Sequence, residues 1–276
     1  MPPQETSPIP ANNAYGILHG DTWDDALLLA ADQIRRLGYA IVDSGFSSTE
    51  ITDIEQKFDM TRAEYTRTWG EDHLESMDEH NSMRLPMAVS PEPFRNLAFA
   101  PNILSVVGQL IDGQFILNQQ NGVINPAGAA YNQGLWHRDL PYQHFVTNVP
   151  LAVNALYCVD DFTSENGGTW VIPASHKTPN YPSDAYVSAH ALQVNAKAGQ
   201  YIVLDCMAYH TGGFNRSTAD RRAVNHVYTI PYFSQQIRIP GNVEESGLTP
   251  DQRRILGFDF PSPQSVDAYL SARARK

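Results

Sequence analysis

Between residues 22 and 37, apolar side chains (Trp23, Ala26, Leu27, Ala30, Ile34 and Leu37) recur at helical spacing and Gly38 follows, which predicts an amphipathic helix with a polar outer face. "YAIVDSGF" next predicts a short strand. Ser47 and Glu50 have capping-box spacing, so a second helix is expected to start there and to run to about Trp69. Residues 70–87, "GEDHLESMDEHNSMRLPM", have no clean period and carry Glu71, Asp72, Glu75, Asp78 and Glu79, which suggests a long loop or lid. A third helix is expected over 102–113, with Ile103, Val106, Val107 and Leu110 on one side and Gly113 just past its end.

Beyond Gly113 the pattern shifts to short runs rich in β-branched and aromatic residues, broken by Gly, Pro, Asn and Asp: "QFILNQQNGVI", "LAVNALYCV", "TWVIPAS", "GQYIVLD" and "AVNHVYTIPYF". Such runs predict an antiparallel sandwich or barrel. Helices first and strands after make this an α+β chain, a cupin-like jelly roll (double-stranded β-helix) buttressed by N-terminal helices. The expected layout of 1–276 is one domain: a flexible arm over 1–20, a mainly helical buttress over 21–113, a jelly-roll core over 114–235 and a C-terminal elaboration over 236–276. That last part holds a short helix at "TPDQRRIL" and a second after Pro263.

Composition narrows the class. The chain is 42% hydrophobic with a formal net charge of −11, ample for a core and unsuited to a nucleic-acid surface. It has no apolar run long enough to span a membrane and no signal-peptide pattern at its start, so a soluble cytoplasmic protein is expected. Cys158 and Cys206 lie inside apolar strand-like runs, which fits buried thiols in a reducing compartment.

Against this background "WHRDLPYQHF" raises a chemical question, since His137 and Asp139 stand two apart between apolar runs. In an extended strand, residues i and i+2 share a face, so the two side chains can converge on a metal. His210, at the end of "GQYIVLDCMAYH" and before the turn "HTGGFN", is the candidate third ligand. Two His and one carboxylate form the facial triad of non-heme Fe(II) oxygenases, although zinc hydrolases can use the same set. A His-X-Asp pair alone is more often structural. Arg221, in "RRAVNHVY", adds weight because a guanidinium there can grip a distal carboxylate. Strand alternation puts Arg221 on the face of Ala223 and Asn225, with Arg222 and His226 on the other. His226 is therefore expected in the core, His144 at a rim and His176 in a structural role. Asn215 is expected to hold its turn through backbone hydrogen bonds, and Trp136 and Trp170 to line a pocket or join the core.

"QGLWHRD", "DDFTSENGGTWVIPASH" and "HTGGFNRSTADRRAV", in that order, resemble the phytanoyl-CoA dioxygenase family of iron- and 2-oxoglutarate-dependent oxygenases over about 115–233. The resemblance implies that His137, Asp139 and His210 bind Fe(II), that Arg221 pairs with the C5 carboxylate of 2-oxoglutarate, and that O₂ is the oxidant. It also implies that Thr169 and Gln133 contact the cosubstrate, although one more residue separates this Gln from the His than in relatives. "PASH" stands in place of the usual "PGSH". Asp139 is a carboxylate and not the small residue of related halogenases, which favours hydroxylation, with release of succinate and CO₂. If the acidic 70–87 segment closes over the pocket, it favours a compact polar, amine-bearing small molecule of secondary metabolism over an acyl-CoA. The residues alone leave two other readings open: a cupin-type metal-dependent isomerase or hydrolase, and a non-catalytic jelly-roll binding module.

Overall fold

The computed structural model describes residues 15–16 and 25–274. The arm expected over 1–20, apart from 15 and 16, and the first turn of the helix expected from 22 lie outside the described residues.

Helix α1 (Ala26–Leu37) is capped by Asp25, which accepts hydrogen bonds from the amides of Leu27 and Leu28, and it ends at Gly38 in the left-handed conformation (φ 85°). Strand β1 is Tyr39–Asp43. Helix α2 (Ser48–Trp69) opens with the expected capping box between Ser47 and Glu50. Helices α3 (Glu71–Ser76), α4 (Pro91–Ala98) and α5 (Pro101–Leu110) alternate with strand β2 (Ser82–Arg84) before the long strand β3 (Ile116–Asn125). Then come β4 (Ala152–Cys158), β5 (Trp170–Val171), α6 (Asp184–His190), β6 (Leu192–Gln193), β7 (Gln200–Asp205), β8 (His210–Thr211) and β9 (Arg221–Thr229). Helices α7 (Pro250–Ile255) and α8 (Val266–Arg273) complete the described chain.

The strands form a six-stranded sheet in the order β1-β7-β4-β9-β3-β2 and a three-stranded sheet in the order β6-β5-β8, antiparallel throughout. This is the jelly roll expected from the pattern. Strand alternation gives the larger sheet two apolar faces. On one, Tyr157, Tyr201, Val203, Val224 and Tyr228 pack with Ile34, Phe58, Ile103 and Val107 of the helices. On the other, Cys158, Ile202, Leu204 and Ala223 meet Phe162 and Val171 between the sheets. The second interior holds the candidate site.

Three expectations change. The 70–87 segment is not a long loop: it is α3, edge strand β2 and a 3₁₀ turn at Pro86–Ala88. Each piece is too short to establish a period of its own. β2 pairs with β3, with Met83 opposite Gly122, whose lack of a side chain makes room for the Met83 thioether. β1, the strand expected at "YAIVDSGF", and β2, which was not expected, thus form the two edges of the larger sheet from within the mainly helical region. Finally, the backbone at His137 makes a single β-bridge to His210 and is not part of a continuous strand. Pro141, which ends any ladder there, is the local reason.

Candidate active site

The bridge at His137 does what strand alternation was expected to do. The His137 amide donates to the His210 carbonyl at 3.0 Å, the His210 amide donates back at 3.1 Å, and the Asp139 amide donates to Cys206 O at 3.0 Å. The three side chains therefore converge, with ligand atoms all within 4.8 Å of one another. His137 Nδ1 faces Leu135 O at 2.7 Å and His210 Nδ1 faces Ala208 O at 3.1 Å. A carbonyl can only accept, so both Nδ1 atoms donate and both Nε2 atoms are left as lone pairs. Those lone pairs point at Asp139 Oδ1, at 3.8 Å from His137 and 3.5 Å from His210. Asp139 Oδ2 accepts from Asn154 Nδ2 on β4 at 2.8 Å. With both imidazoles neutral, three acceptors meet with no donor between them, a set that could hold a cation.

A proton on an imidazole Nε2 can also take that place, and the ionisation of the three groups is coupled through it. Burial opposes ionisation of Asp139, but the His210 and His137 imidazoles and the Asn154 amide outweigh it and hold the carboxyl at about 2. Burial would lower His210, yet Asp139 beside it moves it up; for His137, burial and His210 together move it down.

The same cavity is lined by Arg221, Thr169, Gln133, Tyr131 and Asn225. Arg221 is 3% exposed, and its guanidinium lies over the Phe162 ring at 3.9 Å. Its Nη2 donates to Tyr131 Oη at 3.2 Å, while Nε and Nη1 have no partner among the described residues. A buried guanidinium with donors to spare can hold an anion. Asn215 holds the strand start: its Nδ2 donates to Asn125 O and Ala219 O, and its Oδ1 accepts from Ser217 N. Thr169, next to β5, is buried. The Gln133 carbonyl accepts from the Gly212 amide at 2.9 Å, and its side chain reaches Asn132 at 3.4 Å.

Other candidates fall elsewhere. Arg222 points to the helix side and meets Asp160, Asp59 and Glu55. His226 is buried between sheet and helices. His176 is buried against Arg35 O, and His144 is exposed and does not line the cavity. Trp136 and Trp170, with Phe214, line a separate groove on the outer face of the smaller sheet under α6. None of the five carboxylates of 70–87 lines the cavity, and Glu79 is paired with Arg84. Ala174 of "PASH" sits at φ 60°, a left-handed conformation that explains the usual Gly and costs about 1 kcal/mol with a Cβ.

Sequence reasoning missed three residues. Asn154 and Tyr131 had no motif around them. Arg138, between the two candidate ligands, is 2% exposed and donates to the carbonyls of Gln143, Pro179, Ser175 and Thr178, with its guanidinium over Tyr209. It ties the His137 segment to the residue before His210. Its position inside "HRD" was the one available signal.

The model of the phytanoyl-CoA dioxygenase family matches residues 34–223. Uncharacterised proteins of Mycobacterium bovis and Mycobacterium tuberculosis are 29% identical over 86% of this chain and 89% of their own. The iron/alpha-ketoglutarate-dependent dioxygenase ausO of Aspergillus calidoustus is 29% identical, but over 52% of this chain and 50% of its own length. Among solved structures, EctD from S. alaskensis with 2-oxoglutarate and 5-hydroxyectoine superposes with a TM-score of 0.63 at 20% identity, covering 77% of this chain and 79% of that one. The epimerase SnoN from nogalamycin biosynthesis gives 0.57 at 19% identity, covering 82% and 92%. The match runs from the last turn of α1 to the start of β9, and the chain belongs to the phytanoyl-CoA dioxygenase family of 2-oxoglutarate-dependent non-heme iron dioxygenases.

Proposed function

We propose that this enzyme holds Fe(II) with His137, Asp139 and His210, holds 2-oxoglutarate with Arg221 assisted by Thr169 and Gln133, and hydroxylates a C–H bond of a small organic molecule. One observation carries the reading: a single cavity has three grouped ligand atoms suited to a cation at one place and, at another, a buried guanidinium whose Nε and Nη1 have no partner among the described residues and suit an anion. A keto acid with a distal carboxylate suits both places at once. A hydrolase working through metal-bound water has no use for the second.

When bound, iron and 2-oxoglutarate supply the oxidising power, with O₂ consumed and succinate and CO₂ released. The chain's own residues prepare the place. The Nδ1 bonds to Leu135 O and Ala208 O fix both imidazoles with Nε2 inward. Asn154 occupies Asp139 Oδ2 and leaves Oδ1 for the metal. Phe162 beneath the guanidinium keeps water from Arg221, so its charge acts at low dielectric.

The cavity lining also bears on substrate charge. Its charged groups, Asp139 and Arg221, are both engaged in this scheme, and among the described residues no further carboxylate lines the cavity to recognise an ammonium. An uncharged reacting end therefore fits better than the amine-bearing one suggested by the acidic segment. Fungal relatives named as dioxygenases favour a secondary metabolite.

Anaerobic titration with Fe(II), with and without 2-oxoglutarate, tests the assignment. A visible charge-transfer band that needs both is expected, and Asp139→Ala should abolish both the band and turnover. Normal iron content and hydroxylation in Asp139→Ala would sink it.

A further inference from the structure

Beside Arg221 the cavity is lined by a tyrosine without an assigned role. Tyr131 comes from the loop between β3 and the His137 bridge, and its hydroxyl meets Arg221 Nη2 at 3.2 Å. Arginine has no acceptor, so in this bond the tyrosine oxygen accepts. The hydroxyl proton is left over, and no acceptor for it occurs among the described residues. Burial raises the Tyr131 pKa, opposed by Arg221, so the group remains a phenol with that proton to give. This half-buried hydroxyl, with a proton to donate, stands beside the buried Nε and Nη1 of Arg221, which have no partner among the described residues. All three are donors facing one space.

Gly212 shows how closely the ring is seated. A Cβ built there would stand 1.8 Å from the Tyr131 hydroxyl oxygen and 2.7 Å from ring carbon Cζ. Any side chain at 212 pushes the hydroxyl away from Arg221. The Gly212 amide is in turn held by Gln133 O, two residues from Tyr131, so loop and turn are fixed to each other.

We propose that the Tyr131 hydroxyl is a third anchor for the distal carboxylate of 2-oxoglutarate, donating to it alongside Arg221, and that position 212 is glycine because the Tyr131 ring passes over it. The proposal rests on the assignment of Arg221 as the distal anchor. Tyr131 is a binding residue here and takes no part in the chemistry at the metal.

The test uses the Fe(II)-loaded protein without oxygen, titrated with 2-oxoglutarate and with 2-oxobutyrate, which keeps the keto-acid head and lacks the distal carboxylate. Tyr131→Phe should weaken 2-oxoglutarate about tenfold, the size expected for one hydrogen bond to a charged group, and leave 2-oxobutyrate within about twofold. Gly212→Ala should show the same selectivity. Unchanged 2-oxoglutarate affinity in Tyr131→Phe, or an equal loss for both acids, overturns the proposal, because a residue that only shapes the pocket would affect both. Arg221→Gln separates the two assignments. If it keeps wild-type 2-oxoglutarate affinity, the distal anchor is wrong and the Tyr131 proposal falls with it. If Arg221→Gln loses affinity and Tyr131→Phe does not, only the Tyr131 proposal fails.

Discussion

Strand β9 has two faces built from the same alternating run, and they treat polar groups in opposite ways. On the helix side, Arg222 meets three carboxylates, His226 lies between Gln120 Nε2 and Ala155 O, and Tyr228 donates to Ala98 O. Every one of these groups has partners. On the cavity side, Arg221 has two free donors and Asn225 Oδ1 has no partner. A fold selected only for stability would satisfy both sides, since an unmade buried hydrogen bond costs about 1 to 3 kcal/mol. On this strand the unpaired polar atoms lie on the side where the proposed cosubstrate would sit, although the helix-side Tyr157 hydroxyl on β4 is also without a partner.

The largest test of this contrast exchanges the adjacent arginines. Arg221→Met should weaken 2-oxoglutarate by about 2 to 4 kcal/mol, roughly 30- to 1000-fold, and should make the ligand-free protein more stable by about 1 kcal/mol by removing a buried unpaired cation. Arg222→Met should do the reverse, leaving cosubstrate affinity within about twofold and lowering stability by about 1 to 2 kcal/mol, a range discounted for its exposed partners. Urea denaturation and cosubstrate titration of the two proteins decide it. Stability changes of the same sign would break the comparison.

The next effect is a pH dependence on the helix side. Burial, opposed by backbone bonds to Ala155 and Val224, lowers His226 to about 4. The unfolded chain takes up its proton near 6.5 and the native protein does not do so until about 4, so stability falls as pH drops through that window. The contribution is about 3 kcal/mol across it, and His226→Gln should lack it. Unfolding free energies of both proteins at pH 7, 5.5 and 4.5 measure the difference; parallel curves would place the proton elsewhere.

The smallest effect returns to the cavity. Asn154→Ala removes the amide from Asp139 Oδ2 while leaving every candidate ligand in place. Iron affinity should fall about 10- to 100-fold, as is usual when a group supporting a ligand is lost. Competition with a chelator reads this directly, and an unchanged affinity would mean that the carboxylate is held by its own backbone.

Legibility in the sequence followed the range of the interaction. The Ser47 and Glu50 cap and the helices it begins are local, and pattern alone locates them. The 70–87 segment was misread because α3 and β2 owe their form to packing: Leu74 and Met83 are buried, and β2 exists only as a partner of β3. His137, Asp139, His210 and Arg221 were legible as residue types suited to a cation and an anion. That they share one cavity came from the bridge between His137 and His210, a contact across 73 positions that no periodicity encodes.

By itself, then, the sequence determined chemistry and relative orientation: two imidazoles and a carboxylate as acceptors, a guanidinium as donor, and Arg221 opposite in direction to Arg222, because side chains on a strand alternate. Alternation cannot say which of the two faces helices will cover. Only the tertiary structure decided that, by packing the helices against Val224 and Tyr228 and leaving Ala223 and Asn225 toward the cavity. It also decided that Asn154 would meet Asp139 and that Tyr131 would reach Arg221 across 90 positions. Neither pair has a local signature, since each contact forms only when separate strands and loops are brought together by burial of the two apolar faces.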